Sequence, residues 1–139
     1  MSRILGIDYG KERTGIAITD ELGITAQGLE TINSNGSDKV LLRRIEEILN
    51  EYKTVDTIVI GNPINMDGTP SQRSEETELF IHKLNSRFNH IPVIKVDERL
   101  TTVEAHKTMN YLDINKKKKK SIVDTLAAVY ILETYINKK

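Results

Sequence analysis

The sequence predicts an α/β fold: a mixed five-stranded sheet, three antiparallel strands followed by two β–α crossovers, with helices on both faces. Three observations predict it. Apolar runs at residues 3–8 and 14–19 are joined by a Gly-containing turn and read as a hairpin. A later run, in DTIVIGNP, is continuous rather than alternating, as in a strand buried on both faces, and IPVIKVDE reads as another buried strand. A helical pattern precedes each of those two runs, as parallel crossovers require.

The elements follow in order. In the first strand the period of two puts Ile4, Gly6 and Asp8 on one face and Leu5, Ile7 and Tyr9 on the other. Gly23 turns the chain into a third strand over 24–32, ITAQGLETI. SNGSDK then supplies turn and N-cap residues before a helix over 38–52, where Leu41, Ile45, Ile48, Leu49 and Tyr52 form one apolar stripe. The strand at 55–60 leads into a loop, GNPINMDGTPS. The next helix spans 72–88, with Phe80, Ile81, Leu84 and Phe88 inward and Glu75, Glu76 and Glu78 in its early turns, where the helix dipole tolerates them. A strand at 92–97 precedes a helix over 101–112, capped by Thr101 or Thr102. DINKKKKK reads as a basic loop, and SIVDTLAAVYILETYI as a strongly apolar final helix. Right-handed crossovers make the strands at 3–8, 55–60 and 92–97 parallel, so Asp8, Gly61 and Glu98 arrive at one edge of the sheet. Open sheets with parallel strands bind ligands at that edge.

Composition narrows the function classes. The 139 residues suffice for one core, and a single domain over 1–139 is expected. Twenty basic and twenty acidic residues cancel, so charge alone does not mark a nucleic-acid binder. Aromatic residues are 5% with no Trp, which argues against a base-stacking platform. The absence of Cys excludes disulfides, thiolate metal sites and Cys nucleophiles. No apolar run reaches the roughly 20 residues of a bilayer span, and MSRILGIDYG lacks the h-region of a signal peptide. A cytoplasmic protein without a membrane partner is the expectation.

Three carboxylates have apolar neighbours: Asp8, Glu98 (beside Asp97) and Asp124, which lies between Val123 and Leu126 in the final helix. An Asp inside a helix loses only about half a kcal/mol in propensity. Buried as an anion, it needs a cation, a donor or water. Three such groups within ~4 Å would repel pairwise by about 4 kcal/mol at an effective dielectric of 20. Protonation or a bound cation relieves that. All-oxygen donors favour Mg²⁺ or Mn²⁺ over zinc, and such a site suits phosphodiester hydrolysis. Each residue also has a plainer reading: Asp8 as a turn residue, Glu98 as the partner of Arg99, Asp124 as a half-exposed helix residue. Taken together these weaken, because the topology brings two of the three to one edge.

A second group of residues could meet phosphate. Gly61 and Pro63 begin the loop after the fourth strand, and Ser71 and Arg73 lie near the next helix N-terminus. Lys11 and Arg13 flank the first turn, Arg99 follows Glu98, and Lys116, Lys117, Lys118, Lys119 and Lys120 form a basic run. Lysine contacts to phosphate would be sequence-independent. The histidines at 82, 90 and 106 show no metal-ligand spacing, and no P-loop, GxSxG or GxGxxG occurs.

GIDYGKERTGIAITD, GNPINMDG, DERLTTVEA and KKSIVDTLAAVYIL, in that order across the chain, resemble the bacterial YqgF/RuvX family. Members are described as Holliday junction resolvases and as pre-16S ribosomal RNA nucleases. The resemblance implies a ribonuclease H-like fold and a nuclease with Asp8, Glu98 and Asp124 as catalytic metal ligands for Mg²⁺ or Mn²⁺. It aligns Gly61, Pro63 and Gly68 with the family's G-x-P-x-x-x-x-G loop. Asn62 departs from the family pattern, which more often has an apolar residue there. The lysine run falls where the family commonly carries a basic segment.

The leading expectation is a metal-dependent nuclease acting on the 5′ end of pre-16S ribosomal RNA, with ribosomal particles as partners. The alternative is cleavage of branched DNA. A resolvase cuts two strands symmetrically and is normally a homodimer, so a monomer would count against it. DYGKERTG also looks like the phosphate loop of actin-like ATPases and sugar kinases, but those close two domains around a nucleotide. A silent nucleic-acid-binding or ribosome-binding module is the third class.

Overall fold

The computed structural model describes residues 2–65, 67–97 and 116–138, with backbone alone over 116–124 and at 138. The elements are β1 (Arg3–Asp8), β2 (Arg13–Thr19), β3 (Ala26–Asn33), α1 (Asp38–Glu51), β4 (Val55–Asn62), α2 (Gln72–Arg87), β5 (Val93–Asp97) and α3 (Lys116–Lys138). The five strands form one sheet in the order β3-β2-β1-β4-β5. β2 is antiparallel to both β1 and β3, whereas β1, β4 and β5 are parallel, as the crossovers require.

Alternation along the strands divides the core into two layers. Leu5 and Ile7 of β1 and Tyr9 just after it, with Ile58 and Ile60 of β4, meet α1 and α2 through Leu41, Ile45, Ile48, Phe80 and Leu84. Ile4 of β1, Ala17 of β2, Val59 of β4 and Val96 of β5 meet α3 through Ala128, Ile131 and Leu132. Gly6 lies between Ile4 and Asp8 on this second face. A Cβ there would stand 2.5 Å from Leu132 Cγ and 3.0 Å from the Ala128 carbonyl oxygen. The absence of a side chain at position 6 therefore sets how closely α3 packs on β1.

Local chemistry fixes the helix starts. Ser37 caps α1 by accepting from the Val40 N–H, and Asp38 stands in the favourable first turn. Ser71 and Ser74 form a reciprocal capping box at the start of α2.

Two of the boundaries that differ from the sequence expectation have a clear physical cause. β3 begins at Ala26 rather than 24, because Asp20 Oδ1 accepts from the Ile24 and Thr25 N–H groups and commits both residues to the hairpin turn. The lysine run is not a loop: α3 begins at Lys116, five residues before the expected start. Lysine is a good helix former, and like-charge repulsion along a helix amounts to a few tenths of a kcal/mol per pair. That is too little to stop a helix anchored by the apolar residues after it. The helix expected over 101–112, with its Thr101 or Thr102 cap, and the residues at 113–115 lie outside the described residues. Among the described residues no helix is long and apolar enough to cross a membrane.

Candidate active site

Asp8 is the last residue of β1, at the edge where the parallel strands end. It pairs with Gly15 of β2. On its other side Ile7 pairs with Ile60, so the next residue of β4 beside Asp8 is Gly61. Asp8 shares the α3 face with Ile4 and Gly6, and it thus stands between two strand positions that carry no side chain. The residue is half-buried and its Oδ1 is withdrawn from solvent. Strand positions without a side chain allow a ligand or another backbone to come close.

The other two acidic residues are reached only in part. α3 carries position 124 one turn, about 6 Å, before Ala128, and Ala128 meets the sheet at Gly6. Asp8 lies two residues, about 7 Å of strand, from the same contact. Asp8 and Asp124 therefore belong to elements packed directly on each other. The Asp124 side chain lies outside the described residues, as do Glu98 and Arg99; Asp97, the last residue of β5, immediately precedes Glu98. Among the described residues no three carboxylates or histidines come together.

The turn after Asp8 is locked. The Thr14 hydroxyl donates to the Gly10 carbonyl at 3.2 Å and accepts from the Gly10 N–H at 3.3 Å. A Cβ on Gly10 would come within 2.3 Å of the Arg13 carbonyl oxygen, so only glycine fits. From outside, Ser34 and Asn35 donate backbone N–H groups to the Glu12 carbonyl, and Gly36 donates to that of Lys11. This turn carries Lys11, which is exposed and ion-paired with Glu76 of α2 at 3.2 Å, and leads to Arg13, the first residue of β2.

On the opposite face, Tyr9 anchors the end of β1. Its ring stacks on Phe80 with centroids 4.4 Å apart. Its hydroxyl donates to Asp38 Oδ1 at 2.8 Å, while Lys83 pairs with Asp38 Oδ2 at 2.9 Å. Burial, and then the hydrogen bond to Asp38, push the Tyr9 phenol well above the ordinary tyrosine pKa. Arg73 Nη2 donates to the Tyr9 carbonyl at 3.2 Å. Ser71 is occupied as a cap and donates its hydroxyl to the Pro63 carbonyl. Asn62 extends β4 two residues beyond its expected end and pairs with Asp97. Its Oδ1 is buried with no hydrogen-bond partner among the described residues. Lys116 to Lys120 occupy the first positions of α3.

Tyr9, Asp38 and Lys83 are absent from the sequence-predicted site. The one signal for Tyr9 is its alternation with Asp8; nothing local ties it to Asp38, 29 residues away.

The comparisons agree with this architecture. The model of the RuvX family, described as Holliday junction resolvase, matches residues 2–138. A protein named "Putative pre-16S rRNA nuclease" from Ruminiclostridium cellulolyticum is 57% identical over 136 residues, 98% of this chain and 94% of that protein. One of the same name from Bacillus subtilis is 43% identical over 136 residues, 97% of each chain. Among solved structures, the fowlpox virus resolvase with Holliday junction DNA superposes with a TM-score of 0.62 at 13% identity, covering 98% of this chain and 97% of that one. Thermus thermophilus RuvC with a Holliday junction substrate gives 0.54 at 13% identity and 98% coverage of both. These two likenesses establish the ribonuclease H-like fold. With the family model matched almost end to end and relatives above 40% identity over the whole length, the chain belongs to the RuvX family.

Proposed function

We propose that this protein is a nuclease that hydrolyses phosphodiester bonds in processing the 5′ end of pre-16S ribosomal RNA, in the cytoplasm and on ribosomal precursors. The observation that carries the reading is Asp8: a half-buried carboxylate at the edge where the parallel strands end, between Gly15 and Gly61. The names of the relatives support the RNA substrate.

Asp8, Glu98 and Asp124 would hold a divalent ion, Mg²⁺ or Mn²⁺. The fit is chemical: Asp8 offers a hard anionic oxygen withdrawn from solvent, beside a strand position, Gly15, that carries no side chain. Such an ion supplies charge neutralisation and an activated water for attack on phosphorus. The chain's own residues do the rest. Lys11, in the locked turn that follows Asp8, and Arg13, just before Thr14, would meet backbone phosphates. Gly61 and Pro63 would let the scissile strand approach the sheet edge, Arg99 would add a phosphate contact, and Lys116 to Lys120 would supply sequence-independent attraction.

A second reading, cleavage of branched DNA, is favoured by the family's description. One experiment separates the two: purified protein with Mg²⁺ or Mn²⁺, offered a pre-rRNA 5′-end mimic and a four-way junction side by side. Cleavage of the RNA with the junction intact is expected. Paired symmetric cuts in the junction, with the RNA intact, would install the resolvase reading. Binding without cleavage of either would leave a silent binding module.

A further inference from the structure

We infer that Arg73 is a positioning residue for Asp8, acting through the backbone of Tyr9 rather than through phosphate; the inference rests on the acidic site proposed above. Tyr9 lies one residue past the end of β1, directly after Asp8. A carbonyl beyond the end of a strand still requires a donor. Arg73, in the first turn of α2, supplies one at 3.2 Å across 64 residues of sequence.

The same turn grips a second strand end. Ser71, the cap of α2, donates to the carbonyl of Pro63, which follows the last residue of β4. The start of α2 is thus tied to the exits of both β1 and β4, the two strands that place Asp8 and Gly61 side by side. The hold on Tyr9 is completed at its side chain, through Phe80 and the Asp38–Lys83 pair. Asp8 is consequently fixed from behind: its own side chain faces α3, while the next residue is clamped on the opposite face by α1 and α2.

Arg73 is an exposed residue, so a phosphate contact is the real competitor. The two roles give different signatures. A phosphate contact contributes to affinity and to salt dependence. A positioning contact contributes to turnover and to the carboxylate's grip on a cation.

The test uses Arg73→Met, which keeps the aliphatic stem and removes the donors, and Arg73→Lys, which restores a charged donor. For Arg73→Met the expected result is a fall in kcat of about tenfold, since an ångström of misplacement is worth up to about 100-fold. RNA affinity and its salt slope stay unchanged, Mn²⁺ binding to the protein alone weakens, and Arg73→Lys recovers much of the loss. Unchanged kcat with weaker RNA binding and a salt slope smaller by about 0.7 would overturn the inference in favour of one phosphate contact. An activity-free readout keeps this apart from failure of the nuclease reading. The Gly10 amide shares its peptide group with the Tyr9 carbonyl, so the NMR resonances of Gly10 and Asp8 should move in Arg73→Met and return towards wild type in Arg73→Lys. Resonances unmoved in both variants would overturn the positioning role even if the wild-type protein cleaves nothing.

Discussion

Replacing Gly6 by alanine should damage stability and chemistry together, because Gly6 is where α3 touches the strand that ends in Asp8. The added Cβ would stand 2.5 Å from Leu132 Cγ and 3.0 Å from the Ala128 carbonyl oxygen. Carbon atoms rest at about 3.5–4.0 Å, so the overlap with Leu132 is about 1 Å or more. Rotating Leu132 relieves only part of it, since the Ala128 oxygen belongs to the helix backbone. The helix must lift. Overpacking of this kind costs about 1–3 kcal/mol. At about 2.1 cal/mol/K per residue, a chain of 139 residues loses about 3 °C of Tm per kcal/mol, so a fall of about 3–10 °C is expected. The same lift carries position 124 away from Asp8, and a shift approaching 1 Å costs up to about 100-fold in rate. The assay pairs thermal melting with divalent-ion-dependent cleavage, measured well below both melting temperatures. Leu132→Ala as a second site gives the cycle: in that background Gly6→Ala should cost less, because the nearer of its two obstacles is gone. An unchanged Tm together with wild-type cleavage would refute the packing argument.

Other perturbations probe separate parts of the account. Tyr9→Phe removes the hydrogen bond to Asp38 and should cost about 1 kcal/mol at neutral pH in denaturant unfolding. The phenol's pKa is raised in the fold, so its contribution is complete below the unfolded value of about 10 and is lost as pH rises beyond it. The advantage of wild type over Tyr9→Phe should therefore shrink above about pH 10. Asn62→Leu removes a buried acceptor without a partner among the described residues and should raise stability by about 1 kcal/mol, read as a higher Tm; a lower Tm would mean that the amide is satisfied. Changing Lys116 to Lys120 to alanine should weaken RNA binding and flatten its salt dependence. Five consecutive helical positions cover more than one turn, so about three can share a side. A slope change of about 2 on single-stranded RNA is expected rather than the roughly 3.5 of a fully engaged run. An unchanged slope would make the lysines a solvated helix end.

The sheet was legible because its signals are local. Alternation assigned Ile4, Gly6 and Asp8 to one face and Leu5, Ile7 and Tyr9 to the other, and the two core layers divide along that line. The position of Asp8 at the edge where the parallel strands end followed from strand order and crossover handedness. The lysine run is helical where its charge suggests a loop, because lysine's backbone preference is helical. The clamp behind Asp8 was not legible. Arg73 meets Tyr9, and Tyr9 meets Asp38, only after α1 and α2 have packed on the sheet, and no spacing within one segment encodes either contact. Ser71 was readable as a polar residue near a helix start, but its second bond, to Pro63, depends on the path of the intervening loop.

The central claim is that the Asp8 carboxylate holds a divalent ion for phosphodiester hydrolysis. It is tested most directly by measuring Mn²⁺ binding and Mn²⁺-dependent cleavage of the pre-rRNA mimic on wild type and Asp8→Asn in parallel. Asn preserves the shape at the end of β1 while removing the charge. The account predicts loss of both metal binding and cleavage with an unchanged circular dichroism spectrum; persistent cleavage by a folded Asp8→Asn protein would contradict it.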